Sequence, residues 1–297
     1  MSLRKYQAFL KTVETGSITQ AASDLGYTQS AVSKMIADLE DEWDVSLLTR
    51  GHTGIVLTSE GQSLLPNIQD VVRGYDNLNL AVSELHGMQA GTLRLGCFTS
   101  LSTSILPQIL KSFHEKYPNI QIRLLNGEYY EISDWLKRGS IDCGFLSMRA
   151  VGDFDTTFIF RDSLVAILPS DHPMAGEPCF PLEQIKEETF LNLREEQDRE
   201  IIRFFEKNNI APKIAYSVTS DFALLSMVEN GLGISIVHDL ILHPLRHNII
   251  RIPLDITQFR DIVIATRRSF VPSILTRTFI EFVVSAMRNV PLSSYET

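Results

Sequence analysis

The stretch from Gly16 to Glu40, GSITQAASDLGYTQSAVSKMIADLE, leaves little freedom in how it folds. Ser17 and Gln20 have the spacing of a capping box, in which a hydroxyl and an amide satisfy free N–H groups at a helix start. Ala21, Ala22 and Leu25 then form a narrow apolar stripe, and Gly26 supplies the left-handed residue that ends a helix. Thr28 is placed to cap the next helix. There Val32, Met35, Ile36 and Leu39 recur at helical spacing and predict one buried face. Helices joined by so short a turn, with alanines allowing close approach, form a helix-turn-helix. Upstream, Tyr6, Phe9, Leu10 and Val13 predict a first helix stopped by Gly16. Downstream, LLTRGHTGIVLT reads as a hairpin wing around a glycine-bracketed loop.

The other face of the third helix carries Gln29, Ser30, Ser33 and Lys34, without the Glu and Lys pairs that usually solvate a helix. Short or flat side chains near a helix N-terminus allow close approach to base edges. Gln pairs bidentately with adenine, Ser reaches bases or phosphate, and Lys meets guanine or phosphate. A serine-rich solvated face is the plainer alternative. Charge complicates the DNA reading, because residues 1–88 hold six Lys and Arg against eleven Asp and Glu. Asp38, Glu40, Asp41, Glu42 and Asp44 cluster at or beyond the far end of the helix. Phosphate attraction is therefore expected to be local, from Lys34 and Arg50, helped by Arg4, Lys5 and the helix N-termini.

The run from Ala8 to Gly61 resembles the N-terminal domain of the LysR-type transcriptional regulators. It matches at Phe9, Gly16, Ser17, Ala21, Ala22, Leu25, Gln29, Ser30, Val32, Ser33, Ile36, Leu39, Glu40, Leu47, Arg50, Leu57, Thr58 and Gly61. Leu48, where the family usually has Phe, Ala31, where Pro is common, and Trp43 depart from the pattern and touch packing and helix entry. The resemblance implies a winged helix-turn-helix over residues 1–58 that binds double-stranded operator DNA, with Thr28, Gln29, Ser30, Ser33, Lys34 and Arg50 as candidate contacts.

Beyond Thr58 or Ser59, Leu64, Ile68, Val71, Tyr75, Leu78, Val82 and Leu85 advance by alternating steps of four and three, a heptad seam with Pro66 near its start. A helix packed on its own chain gives the same spacing. The resemblance implies instead that residues 59–88 form a dimerising linker helix, in a homodimer or homotetramer that presents two heads to two half-sites.

From residue 91 the pattern changes. TLRLGCF, IQIRLLNG, DCGFLSM, SLVAILPS, ETFLNL, KIAYSV and GISIV alternate with helical segments, predicting βα units around mostly parallel sheets. GTLRLG, LPQILKSFHEKYPNIQIRLLNG, LKRGSIDCGF, HPMAG and VENGLGISIV are similar to the LysR effector domain, which resembles type 2 periplasmic binding proteins. The fold class is therefore α/β. A helix-rich winged helix-turn-helix and a long linker helix precede a two-lobed α/β effector domain over 91–297. Lobe I is expected at about 91–164 and 265–297, lobe II at about 165–264, and the final helix at 272–289.

Ligands of open α/β sheets bind beyond the carboxyl ends of strands. In CFTSLSTS the hydroxyls of Thr99, Ser100 and Ser102, with the N–H groups of the next helix start, predict an anion site, against the alternative of a capped polar loop. Glu128, Ser147, Arg149, Arg194 and Thr219 occupy comparable strand ends. Arg149 and Arg194 suit a carboxylate and Glu128 suits an amine, so the charge of the ligand stays open. The resemblance implies a small-molecule effector and neither a cofactor nor a metal.

Other classes fit less well. A net charge of −9 argues mildly against general nucleic-acid binding. The start lacks an apolar signal region and no run reaches about eighteen apolar residues, so a cytoplasmic protein without membrane contact is expected. Cys97, Cys143 and Cys179 lack CxxC spacing and fit a reducing compartment. Cys97 and Cys143 near strand ends suggest redox sensing, with buried small hydrophobes as the plainer reading. His238 beside Asp239 suggests half a hydrolytic triad, but GxSxG, HExxH, GxxxxGK[ST] and GxGxxG are absent, and His238 is expected to cap the following helix. A solute-binding protein would predict a signal peptide and no helix-turn-helix. The combined reading is a homo-oligomeric regulator, not an enzyme, with operator and sign of regulation undetermined and RNA polymerase left open as a contact.

Overall fold

The computed structural model describes residues 3–51, 54–85, 91–193, 200–242, 248–268 and 271–289. They fall into two compact units, Met1–Gly91 with Trp135–Ser140, and Thr92–Asp134 with Ile141–Thr297.

The first unit opens with α1 (Leu3–Thr15), α2 (Ile18–Leu25) and α3 (Gln29–Trp43), then β1 (Leu48–Gly51), β2 (Gly54–Leu57) and α4 (Ser59–Leu85). Its core joins Tyr6, Phe9, Leu39, Leu47 and Ile68, beside a second cluster of Ala8, Ala22, Val32 and Ile36. On α1, Ala8 and Thr12 are buried where Leu10 and Val13 are only partly so, and the Thr12 hydroxyl donates to Ala8 O at 2.8 Å. The capping box is half formed. Ser17 accepts from Gln20 N at 3.3 Å, but the Gln20 amide donates to Asp24 at 2.7 Å instead of reaching back. Trp43 packs on Tyr6, ring centroids 5.8 Å apart, and Leu48 joins the same core.

The wing strands pair antiparallel from Leu48↔Leu57 to Gly51↔Gly54. Gly54 has φ +130, and a Cβ there would stand 2.8 Å from Gly16 O, the carbonyl that accepts Ile55 N at 3.0 Å. The wing thus leans on the α1–α2 turn, an approach that needs glycine. At the start of α4 the Thr58 hydroxyl accepts from Gly61 N at 2.9 Å and donates to Ser46 O at 2.6 Å.

The heptad seam on α4 divides. Leu64 and Ile68, with Leu65 and Val72, pack into the head's own core. Val71, Tyr75, Leu78 and Val82 are 44–60% exposed, while the side chain of Leu85 lies outside the described residues.

From Gly91 onward come β3 (Gly91–Cys97), α5 (Thr99–Thr103), α6 (Leu106–Lys116), β4 (Ile120–Asn126), α7 (Tyr129–Arg138), whose last residues from Trp135 belong to the first unit, β5 (Cys143–Ser147) and β6 (Phe154–Pro169). There follow β7 (Thr189–Leu193), α8 (Glu200–Lys207), β8 (Lys213–Val218), α9 (Asp221–Glu229), β9 (Ser235–His238), β10 (Ile249–Pro253), β11 (Phe259–Arg267) and α10 (Ile274–Asn289). The main sheet runs β10-β6-β11-β5-β3-β4, with β9 also on β6, and β7-β8 pair separately.

The sheets are mixed, which corrects the expectation of mostly parallel ones. β3·β5 and β7·β8 are parallel, but β11 is antiparallel to β5 and β6, and β6 to β9 and β10. One long strand leaves the first lobe and another returns to it, so the two run in opposite directions and pair antiparallel. β6 pairs with β11 through Ser163 and with β9 and β10 from Leu164 onward. β11 enters the first sheet at Phe259, several residues before 265. In the second half of β6, Leu164, Ala166 and Leu168 face one core and Val165 and Ile167 another. Burial on both faces explains the unbroken apolar run LVAIL. No helix among the described residues is long and apolar enough to cross a membrane.

Candidate functional site

A cavity of about 70 Å³ lies where strand ends meet. Phe98, Thr99 and Ser100 follow β3, Glu128 and Tyr129 follow β4, Thr219 and Asp221 follow β8, and His238 ends β9. Leu193, Ile201, Val237 and Ile241 supply apolar wall. All these strands present their carboxyl ends, where side chains and helix starts stand clear of the sheet.

Arg260, 5% exposed, is the centre of the arrangement. Its Nε donates to Asp162 Oδ2, its Nη1 to the Tyr129 hydroxyl and its Nη2 to Ser100 Oγ, each at 2.9 Å. The guanidinium also stands 5.0 Å from the Phe98 ring centroid. Burial disfavours the cation, yet the Tyr129 and Asp162 oxygens hold its pKa above the ordinary arginine value. Asp162 Oδ1 accepts Leu240 N at 3.1 Å, so one carboxylate ties β6, β11 and the turn after β9.

His238 is 7% exposed, with Nε2 3.4 Å from Glu200 Oε2 and Nδ1 4.0 Å from Asp162 Oδ2. Nδ1 has no hydrogen-bond partner. Burial first, then the positive charge of Arg260, lowers its pKa well below 6.5, so the ring is neutral. Burial pushes the Glu200 carboxyl up, against Arg149 3.3 Å away and Arg260. Burial likewise raises Asp221.

Of the side chains expected at this site, Thr99, Ser100, Glu128 and Thr219 line the cavity. Three others do not. Ser102 accepts from Asn126 Nδ2 at 2.6 Å and donates to Thr99 O at 2.9 Å, which makes it part of the helix turn. Ser147 is fully buried in β5, paired in register with Ile262 of β11. Arg149 is half exposed and directed to Glu200. Arg194 lies outside the described residues.

Sequence reasoning missed Arg260, Asp162, Glu200 and Asp221. A signal existed. Phe-Arg-Asp occurs twice, at Phe160–Asp162 and Phe259–Asp261, once in each crossing strand. Antiparallel register sets Arg260 opposite Asp162 and Asp261 opposite Arg161. The first pair faces the cleft, and the second is exposed, Arg161 Nε to Asp261 Oδ1 at 2.7 Å.

His238 does not cap the following turn; Asp162 does. Asp239 pairs with Arg251, Nη2 to Oδ2 at 2.7 Å, so the supposed half-triad separates. Cys97 and Cys143 are free and buried, and burial raises both thiol pKa values, which suppresses the thiolate that redox chemistry needs.

In the head, Thr28 Oγ1 caps α3 by accepting Ala31 N at 3.2 Å. Gln29, Ser30 and Lys34 are exposed and Ser33 is half-buried. The first turn of α3 contains no acid. Arg50 sits in β1, its side chain outside the described residues. Tyr27, exposed beside the cap, was not singled out from sequence. Lys5, expected to help attract phosphate, is instead engaged near the C-terminal end of α3: its Nζ meets Glu42 at 3.3 Å and Asp38 O at 3.4 Å. Glu40 accepts Leu47 N at 2.7 Å and Leu48 N at 3.1 Å, so this acid holds the entry to the wing.

Comparison with known proteins gives concordant matches. A family model described as the LysR substrate binding domain matches residues 86–288, and one of the bacterial regulatory helix-turn-helix protein, lysR family, matches residues 3–62. The probable HTH-type transcriptional regulator LrrA of Synechococcus elongatus is 33% identical over 238 residues, covering 80% of this chain and 81% of LrrA. A full-length OxyR variant of Pseudomonas aeruginosa matches with TM-score 0.79 at 21% identity, covering 97% of this chain and 95% of that one. Full-length CbnR complexed with its target DNA matches with TM-score 0.66 at 23% identity, covering 96% and 100%. At these identities the two solved structures establish the fold.

Proposed function

Because the chain belongs to the LysR family of bacterial transcriptional regulators, we propose that it reads operator DNA through α3 as a homo-oligomer and answers to a small molecule in the β3–β9 cleft. The observation that carries the DNA reading is the start of α3. There Thr28 fixes the helix end, and Gln29, Ser30 and Lys34 stand exposed with no acid in the first turn. CbnR, similar in fold, is known in complex with its target DNA. Thr28, Ser33 and the Arg50 position of the wing complete the proposed contact set.

The exposed part of the α4 seam, Val71 to Val82, is the proposed self-association surface, and two heads then engage two half-sites. A cleft ligand acts by binding one arrangement of the regulator better than another, since a ligand moves an equilibrium only by its differential affinity. The chain is a regulator and not an enzyme on this reading, works in the cytoplasm and leaves RNA polymerase as a contact of the DNA-bound form.

Substitution separates reading from holding. Gln29→Ala should cost about 1–3 kcal/mol on operator DNA and much less on random DNA. Lys34→Ala, if it holds a phosphate, should weaken both about equally and reduce the salt dependence of binding. Quantitative footprinting on both DNAs measures the difference; equal losses for Gln29→Ala would remove its role in base recognition.

A further inference from the structure

The cleft carries more information than its position. Among the described side chains lining it, Arg260 is the cation, and Glu128 and Asp221 are the carboxylates. The Arg260 guanidinium is held by Asp162, Tyr129 and Ser100. Arg149, the other cation expected to suit an acid, is 3.3 Å from Glu200 and outside the lining. An anionic ligand would therefore meet the Asp221 carboxylate and a cation that already has its counter-ion.

A second, independent observation concerns His238. It is 7% exposed and lines the same cavity, and its Nδ1 has no hydrogen-bond partner. Nε2 stands 3.4 Å from Glu200 Oε2, an acceptor for the ring proton, and with the proton on that side a lone pair is left on Nδ1. Across from that lone pair stands Asp162 Oδ2 at 4.0 Å, another acceptor. Asp162 Oδ2 already accepts from Arg260 Nε, so the unmet acceptor is the buried Nδ1 lone pair, and an unmet buried acceptor is costly.

We propose that the ligand of this cleft carries a small cationic nitrogen, a primary amine in its ammonium form, which donates to Asp221 and to His238 Nδ1. Its carbon frame lies against Phe98, Leu193 and Ile201. A cavity of about 70 Å³ admits a head group of a few heavy atoms, in keeping with an alkylammonium. The proposal rests on the reading of the cleft as the effector site, and it favours the amine that the sequence matched to Glu128 over the carboxylate that it matched to Arg149.

The test uses the full chain with n-propylammonium chloride, sodium propionate and propionamide at matched ionic strength, followed by titration calorimetry and thermal melting. Propylammonium should bind saturably and raise the melting temperature, while propionate should not. Asp221→Asn, which keeps the size of the side chain, should weaken propylammonium about tenfold or more, because a charge-assisted hydrogen bond is lost. Thr219→Val, a near-isosteric change in the same wall, should also weaken it and provides a second variant should the first fold poorly. Saturable propionate binding that Thr219→Val weakens, without propylammonium binding, overturns the amine but keeps the cleft. Propylammonium binding unchanged in both variants overturns the cleft as the ligand site. Absence of saturable binding by any of the three probes overturns the amine proposal.

Discussion

Removing the Arg260 guanidinium should destabilise the effector domain far more than an average substitution. Arg260→Ala leaves Asp162, itself 3% exposed, as a buried carboxylate without its counter-ion, and strips a donor from Tyr129 and from Ser100. Breaking a buried pair by deleting one partner costs about 3–5 kcal/mol. For a domain of this size about 1 kcal/mol corresponds to roughly 2–4 °C, so the melting transition should fall by roughly 6–20 °C. The compensating variant follows from the geometry. Asp162→Asn keeps the oxygen that accepts Leu240 N and removes the stranded charge, and Arg260→Met fills the stem volume. The double variant Asp162→Asn/Arg260→Met should therefore recover at least about half of the loss, since replacing both members of a buried pair is often near neutral. Calorimetric melting of the full chain and both variants measures this. A fall of less than about 2 °C for Arg260→Ala, or a double variant no more stable than the single one, would refute the account of Arg260 as the pin between β6 and β11.

Two further outcomes test other parts. Leu78→Asp alters a side chain 60% exposed, so it should leave the helical circular dichroism and melting of the head unchanged while weakening self-association by at least about tenfold in sedimentation; Ile68→Asp, 3% exposed in the head core, should unfold the head instead. His238 gives a pH dependence of definite sign: its folded pKa lies well below 6.5, so as pH falls through 6.5 the unfolded chain takes up a proton that the folded chain refuses, and stability drops until the folded pKa is reached. His238→Gln should accordingly lose less melting temperature than the parent between about pH 7 and pH 5, and an equal loss in both would show that His238 does not govern this limb.

The helix-turn-helix was legible because its determinants are local. A hydroxyl at Ser17 or Thr28, a glycine at Gly26 with φ +70 and alanines at helical spacing act within a few residues of one another, and the structure shows those caps in place. Even there Gln20 turned to Asp24, because an i,i+4 partner on the same helix competes with the backbone N–H. The α4 seam was legible as a period but not as an interface. A heptad stripe is satisfied equally by the head's own core and by another copy, so which residues it buries at home, Leu64 and Ile68, is a matter of packing.

Sequence by itself determined the family, the winged head, the alternation of strands and helices, and the strand ends at Thr99, Ser100, Glu128 and Thr219 that line the cleft. Each follows from short-range chemistry or from a periodicity that one face of an element imposes. Tertiary structure decided the interior of the cleft. Arg260 and Asp162 are 98 residues apart and meet because β6 and β11 pair antiparallel in one register; a shift of one residue would set Arg260 opposite Arg161 or Ser163 and break both this pair and the exposed Arg161–Asp261 pair. Likewise Ser147 and Arg149 sit at a strand end as read, but β11 covers the one and Glu200 pairs with the other. Which of several polar strand ends faces a ligand depends on how two sheets separated along the chain are brought together, and no local pattern encodes that distance.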